Sequence, residues 1–181
     1  MLASTSEPGP FTAFIHGDPC PDNRVDTGSE MKLFDFELSG FRHALLDATY
    51  ARIMFPTCWC SGRLPKEVWT TWESAYRFEL AVSCSEATDD GTFHRGILEC
   101  CAYWTAFTLL EFLNSVLVED QRWGIATRRQ RILARLVVFA EFDEQPKYLV
   151  ETRSLYNKLH EKLLGMWSWE SDKLAQYPAF R

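Results

Sequence analysis

The stretch that decides the fold is His16-Gly17-Asp18-Pro19-Cys20-Pro21-Asp22-Asn23, followed by Leu33-Phe34-Asp35-Phe36-Glu37. Pro19 and Pro21 forbid regular structure, so residues 16–23 must form a loop of fixed shape. Just before it, Phe11 to Ile15 is a short β-prone run. Just after it, Asn23–Val25 and Met31–Phe34 read as two short strands, joined across Gly28 as a β-hairpin. Asp35 to Glu37 end the second strand, and Ser39-Gly40 breaks it.

Further along, the pattern becomes helical. Pro65 is placed as the first residue of a helix with Trp69, Trp72, Tyr76 and Leu80 on one face. A long helix starting near Thr92 and ending near Val118 is apolar around most of its circumference, which marks a central, enclosed element. Thr127 can cap a third helix, with Ile132, Leu133, Leu136, Val137 and Ala140 facing inward. Pro146 opens a fourth, with Tyr148, Leu149, Thr152, Leu155, Tyr156, Leu159 and Leu163 at helical spacing and Gly165 as its stop. Trp167 and Trp169 are expected to pin the C-terminal segment to the core. The expected organisation is a loose leader over 1–10 and one unit over 11–181. That unit divides into loop and hairpin (11–50), helical bundle (64–165) and C-terminal segment (166–181). The fold class is mainly α with a small β part (α+β), a hairpin packed on a helical bundle.

A chain of 181 residues with 46% hydrophobic and 24% charged residues has the composition of a globular domain, not of a disordered tail or a fibre. A net charge of −6 argues against nucleic-acid binding, which needs clustered Lys and Arg. Met1 to Phe14 lack the basic n-region and apolar run of a signal peptide, which points to the cytoplasm. Ile97 to Val118 carry Glu99, Glu111 and Asn114, so the long apolar helix reads as a buried element rather than a membrane span.

Six cysteines, at 20, 58, 60, 84, 100 and 101, form no CxxC, and His16, His43, His94 and His160 are scattered. This spacing argues against a structural zinc site. Without an export signal, all six are expected as reduced thiols. Cys58-Trp59-Cys60 can be a thiol or soft-metal site, but a tight loop packing its small thiols on the bundle is the favoured reading. Arg128, Arg131 and Arg135 share a helical face, near Arg122 and Arg129. They suit a phosphate or acidic partner, with a solvated face the preferred account.

An HGD-x4-N string, a short hairpin and an apolar-Asp-Phe-Glu string, with Leu45-Leu46-Asp47-Ala48-Thr49 beyond, resemble the aminoglycoside phosphotransferase and choline kinase family of protein kinase-like phosphotransferases. The resemblance covers roughly residues 11 to 50; the later helices are compatible with it. It implies a partial kinase-like C-terminal lobe that transfers the γ-phosphoryl group of ATP to a hydroxyl of a small molecule. Such chemistry needs a group that orients the attacking hydroxyl and takes its proton, and hard oxygen ligands for magnesium. Asp18 fits the base. Asn23 and Asp35, brought together by the hairpin, fit the metal. By the same resemblance His16 braces the loop and Asp47 holds its backbone, although Asp47 equally suits a helix start. Glu37 is either a second metal or substrate group or a solvated strand end. A two-metal phosphoesterase built on His16 and Asp18 lacks the further His and Asp ligands it would need.

Kinase-like enzymes also carry a Gly-rich loop, a strand lysine on the phosphates and a helix glutamate. Here no Gly-rich loop precedes His16, and the first lysine, Lys32, lies inside the hairpin. The resemblance therefore implies a C-terminal lobe portion without its nucleotide lobe. Alone it is expected to be inactive, to bind ATP weakly and to expose apolar surface. Its partners are then a small hydroxyl-bearing substrate and a chain or segment supplying the nucleotide lobe. The alternative is a non-catalytic pseudo-kinase fragment acting as an interaction module.

Overall fold

The structure is a computed structural model that describes residues 3–143, 145–167 and 174–180. The chain opens with one helical turn, α1 (Ala3–Ser6), and a 3-10 turn leads into β1 (Thr12–Ile15). The hairpin follows as β2 (Arg24–Asp26) and β3 (Met31–Leu33), antiparallel with Arg24 opposite Leu33 and Asp26 opposite Met31. Gly28 turns the connection at φ +82°, a conformation glycine adopts freely. The Thr27 N–H closes the turn on the Glu30 carbonyl at 3.0 Å.

Gly40 opens β4 (Gly40–His43) instead of ending a strand. This strand pairs antiparallel with β1, Thr12 opposite His43 and Ile15 opposite Gly40. The pairing clamps both ends of the 16–39 excursion, so loop and hairpin project from one small sheet. α2 (Leu45–Ala48) is buried throughout and anchored from two directions. The Trp104 indole N–H donates to the Leu46 carbonyl at 3.0 Å, and the Trp72 indole N–H to the Asp47 carbonyl at 3.2 Å.

The bundle consists of α3 (Lys66–Leu80), α4 (Asp90–Val118), α5 (Arg128–Val137) and α6 (Val150–Trp167), with a two-stranded ribbon of β5 (Arg122–Trp123) and β6 (Ala126–Thr127) before α5. Pro65 sits one residue outside α3, at its N-cap. Asp89 caps α4, its Oδ1 accepting the Thr92 N–H at 2.7 Å. Thr127 and Gln130 cap α5 reciprocally, a capping box that satisfies two otherwise orphaned donors. α4 packs against α2 and α5 and against α1. It is long and apolar enough to cross a membrane by length and composition. It buries Phe93, Ile97, Leu98, Cys100, Cys101 and Trp104 inside the bundle, but Leu110, Leu117 and Val118 are exposed, so the expected enclosure does not extend along its whole length. The fold is thus mixed α+β, with small sheets set on a helical bundle.

Several expectations change. Residues 3–6 of the expected leader form the α1 turn against α4 and β4. α6 begins at Val150 and passes through Gly165 to Trp167. Nothing lies within 4 Å of where a Cβ on Gly165 would sit, and the added turn buries Trp167 under the Arg129 guanidinium, 4.9 Å from the ring. Leu155 and Ala140 face solvent instead of the core. Trp169 lies outside the described residues.

Arg131 and Arg135 overturn the solvated-face reading, since each is 1% exposed. Arg135 threads its guanidinium under the 53–55 segment, where its nitrogens donate to the Ile53, Met54 and Phe55 carbonyls at 3.1, 3.4 and 3.4 Å, and to the Thr108 hydroxyl. Met54 and Phe55 stand at φ +59° and +50°, strained for non-glycine residues, and this turns successive carbonyls toward one cation. Arg131 donates to the Cys58, Trp59 and Trp123 carbonyls at 3.2, 2.7 and 3.2 Å. Burial draws the Arg135 guanidinium down to about 9 and Arg131 down to about 10. Both act as buried staples for irregular backbone that lacks helix or strand partners.

Candidate functional site

The loop 16–23 takes its shape from the residues that hold its backbone. Gly17 is at φ +79°, and a Cβ there would lie 2.3 Å from the Leu38 carbonyl oxygen, so only glycine fits. The buried Asp47 carboxylate accepts the His16 N–H at 2.8 Å on Oδ2 and the Gly17 N–H at 3.1 Å on Oδ1. Burial pushes the Asp47 carboxyl above its ordinary value, while the two amide hydrogen bonds pull it back. His16 Nδ1 accepts the Asp18 N–H at 3.3 Å, which leaves Nε2 to carry the proton donated to the Phe34 carbonyl at 2.9 Å. The ring also packs on Phe36 at 4.6 Å. His16 therefore ties the loop to the far strand of the hairpin.

Asp18 and Asn23 meet across the loop. Asn23 Nδ2 donates to Asp18 Oδ2 and to the Asp18 carbonyl, both at 3.0 Å. With both amide hydrogens committed, the Asn23 Oδ1 lone pairs are the free function of this buried side chain. The other Asp18 oxygen, Oδ1, accepts the Tyr50 and Thr57 hydroxyls, which also touch each other. Burial, reinforced by the Asp18 hydrogen bond, raises the Tyr50 phenol far above its usual range, so it remains a donor. Asp18 is consequently a half-buried carboxylate fixed by three donors.

Asp35 follows directly on Phe34, whose N–H donates to the Asn23 carbonyl at 3.2 Å, continuing the hairpin ladder. It is exposed, stands at φ +63°, and its carboxylate has no hydrogen bond or ion pair to a described residue. Aspartate enters the left-handed region more readily than most residues, so this conformation fits a turn at the strand end. Asn23 Oδ1 and the Asp35 carboxylate are both hard oxygen atoms. Glu37 is exposed.

Tyr50 and Thr57 carry no local signal in the sequence; they reach Asp18 from 32 and 39 residues away. Cys20 is also tied to the second segment. It is disulfide-bonded to Cys58, with Cα atoms 5.6 Å apart, which corrects the expectation of six reduced thiols. Cys60, Cys84, Cys100 and Cys101 are outside this disulfide. A cavity of about 370 Å³ lies elsewhere, walled in part by Arg52, Arg63, Trp69, Glu141 and His160, and draws no residue from the 16–23 loop. Its Arg52 is engaged by Glu73 in a buried bidentate pair at 2.7 Å that ties α3 to the segment after α2. Comparison of the chain with family models and with curated proteins finds no match to either.

Proposed function

We propose that this chain is the C-terminal lobe portion of a kinase-like phosphotransferase of the aminoglycoside phosphotransferase type, acting in the cytoplasm. It directs the γ-phosphoryl group of ATP to a hydroxyl of a small molecule. One observation carries the reading: the 16–23 loop presents an Asp18 carboxylate fixed by three donors, one of them the Asn23 amide, whose oxygen is left free. Asp18 is the base that orients the substrate hydroxyl and takes its proton. Tyr50, Thr57 and Asn23 set its direction, and such preorganisation is the larger part of phosphoryl-transfer catalysis. Asn23 and Asp35 would hold magnesium, which when bound neutralises charge on the phosphates. His16 and Asp47 keep the loop in register. ATP itself depends on a nucleotide lobe supplied by another segment or chain.

A second reading rests on the outer face of the β1–β4 sheet. Phe14 and Phe41 are 59% and 76% exposed and stack edge to face at 5.5 Å. Apolar surface of this kind suits a partner chain, as expected of a non-catalytic interaction module.

Manganese titration of the ¹⁵N-labelled chain separates the two. The phosphotransferase reading expects selective paramagnetic broadening of Asn23 and Asp35, abolished by Asp35→Ala. In an active form, Asp18→Asn should lower turnover by roughly 10²–10⁴-fold. No selective broadening at millimolar manganese would overturn the metal assignment and leave the interaction module.

A further inference from the structure

Beside the proposed catalytic loop lies a cluster of a different chemistry. Cys20, Asp22, Cys58 and Cys60 place one ligand atom each within 4.8 Å of one another. Cys58 Sγ is 3.3 Å from Cys60 Sγ and 3.9 Å from Asp22 Oδ1. Cys20 and Cys58 are buried, Cys60 is half-buried and Asp22 is exposed at the edge. The four residues come from two segments, both with rigid backbones. Pro19 and Pro21 fix the first, and the 3-10 turn Pro21–Asn23 carries Asp22. The second is held by Arg131, which grips the Cys58 and Trp59 carbonyls. Gly124 packs closely against it, since a Cβ there would lie 2.1 Å from the Trp59 carbonyl oxygen.

We propose that, once the Cys20–Cys58 disulfide is reduced, the three thiolates and the Asp22 carboxylate form a tetrahedral site for a soft divalent cation, zinc in particular. Reduction by a cytosolic thiol reductant breaks the Cys20–Cys58 S–S bond, delivers two electrons and two protons to the sulfurs, and leaves the reductant as its own disulfide. Metal binding then displaces one proton from each of Cys20, Cys58 and Cys60.

Zinc–sulfur bonds of about 2.3 Å in a tetrahedron require sulfurs roughly 3.8 Å apart, close to the spacing already present around Cys58 and Cys60. Cys20 has to move outward from its bonded position, and the Cys58–Cys60 pair at 3.3 Å has to open by about 0.5 Å. Three thiolates select a soft ion over magnesium, so this site does not compete with Asn23 and Asp35. Burial and then the Asp22 charge raise the Cys60 thiol, with the Arg131 guanidinium a lesser opposing influence, so the metal itself has to displace this proton. The bound ion would clamp the 16–23 loop to the 57–60 segment and so hold Thr57 on Asp18. The site goes beyond the phosphotransferase reading and stands or falls without it.

Cobalt substitution tests it directly. The full chain, reduced with a phosphine and freed of reductant without air, is titrated with Co2+ and then with Zn2+. The expected result is one ion per chain, with the intense thiolate-to-cobalt band and visible bands of a tetrahedral centre, both erased by zinc. Cys60→Ser should weaken binding by more than the roughly 10–100-fold that loss of a supporting hydrogen bond costs a metal site. Cys84→Ser, outside the cluster, should leave it unchanged. In the unmutated protein, zinc should slow alkylation of Cys20, Cys58 and Cys60 but not of Cys84, as read by peptide mass. A reduced chain with no tetrahedral cobalt spectrum would overturn the proposal. So would equal uptake by the oxidised chain, or alkylation protection elsewhere than at these three cysteines.

Discussion

Replacing Asp47 by alanine tests the structural logic of the loop without any assumption about catalysis. The carboxylate is 7% exposed and satisfies two buried backbone donors, the His16 and Gly17 N–H groups, at 2.8 and 3.1 Å. Gly17 cannot turn its N–H elsewhere, because its left-handed backbone is pressed against the Leu38 carbonyl. Each donor left unsatisfied costs about 1–3 kcal/mol, so the two together cost about 2–6 kcal/mol. The substitution also removes a charge whose burial is itself unfavourable, as the raised Asp47 pKa records, and this offsets part of the loss. The net expectation is a destabilisation of about 2–4 kcal/mol. Urea unfolding with a slope near 3 kcal/mol/M would show it as a fall in midpoint of about 1 M. Amide exchange adds a local readout, since the His16 and Gly17 protons should lose protection before the α4 core does. A change below about 1 kcal/mol, with both amides as protected as in the parent, would refute the reasoning. It would mean that these N–H groups find another acceptor.

Two further outcomes follow from buried cations and bases. Arg135→Met leaves the Ile53, Met54 and Phe55 carbonyls without their donor and should cost about 3–5 kcal/mol in urea unfolding, with Arg135→Lys giving little rescue because one ammonium cannot reach all three. A loss under about 1 kcal/mol would show that the left-handed turn at Met54 and Phe55 holds itself. Burial lowers the His43 imidazole from 6.5 to about 4, against a raising influence from Glu99. Between these values the unfolded chain binds a proton that the folded chain does not. Stability should therefore fall as pH drops from 6.5 to 4, by about 3 kcal/mol, and level off below. His43→Asn can still accept the Leu45 N–H and should flatten this slope; an unchanged slope would place the titration elsewhere.

Sequence alone determined the features governed by neighbours in the chain. The prolines around Cys20, the Gly28 turn, the Thr127 cap, the apolar period of α3 and the apolar run of α4 are local chemistry. Each is visible within one turn or one strand. The loop contacts among His16, Asp18 and Asn23 lie within eight residues, so a short loop brings these groups together with little chain between. Tertiary structure decided what depends on a distant partner. The strand Gly40–His43 exists because β1 supplies its hydrogen bonds, and its own residues carry no signal strong enough to predict it. Arg131 and Arg135 look like a polar face by periodicity. They are core residues only because unsatisfied carbonyls from residues 53–59 arrive from more than 70 residues away. The same holds for Tyr50 and Thr57 on Asp18, and for Cys20, Cys58 and Cys60, whose spacing matches no metal motif. Periodicity reports which residues share a face, whereas the groups that meet that face are set by where the rest of the chain packs.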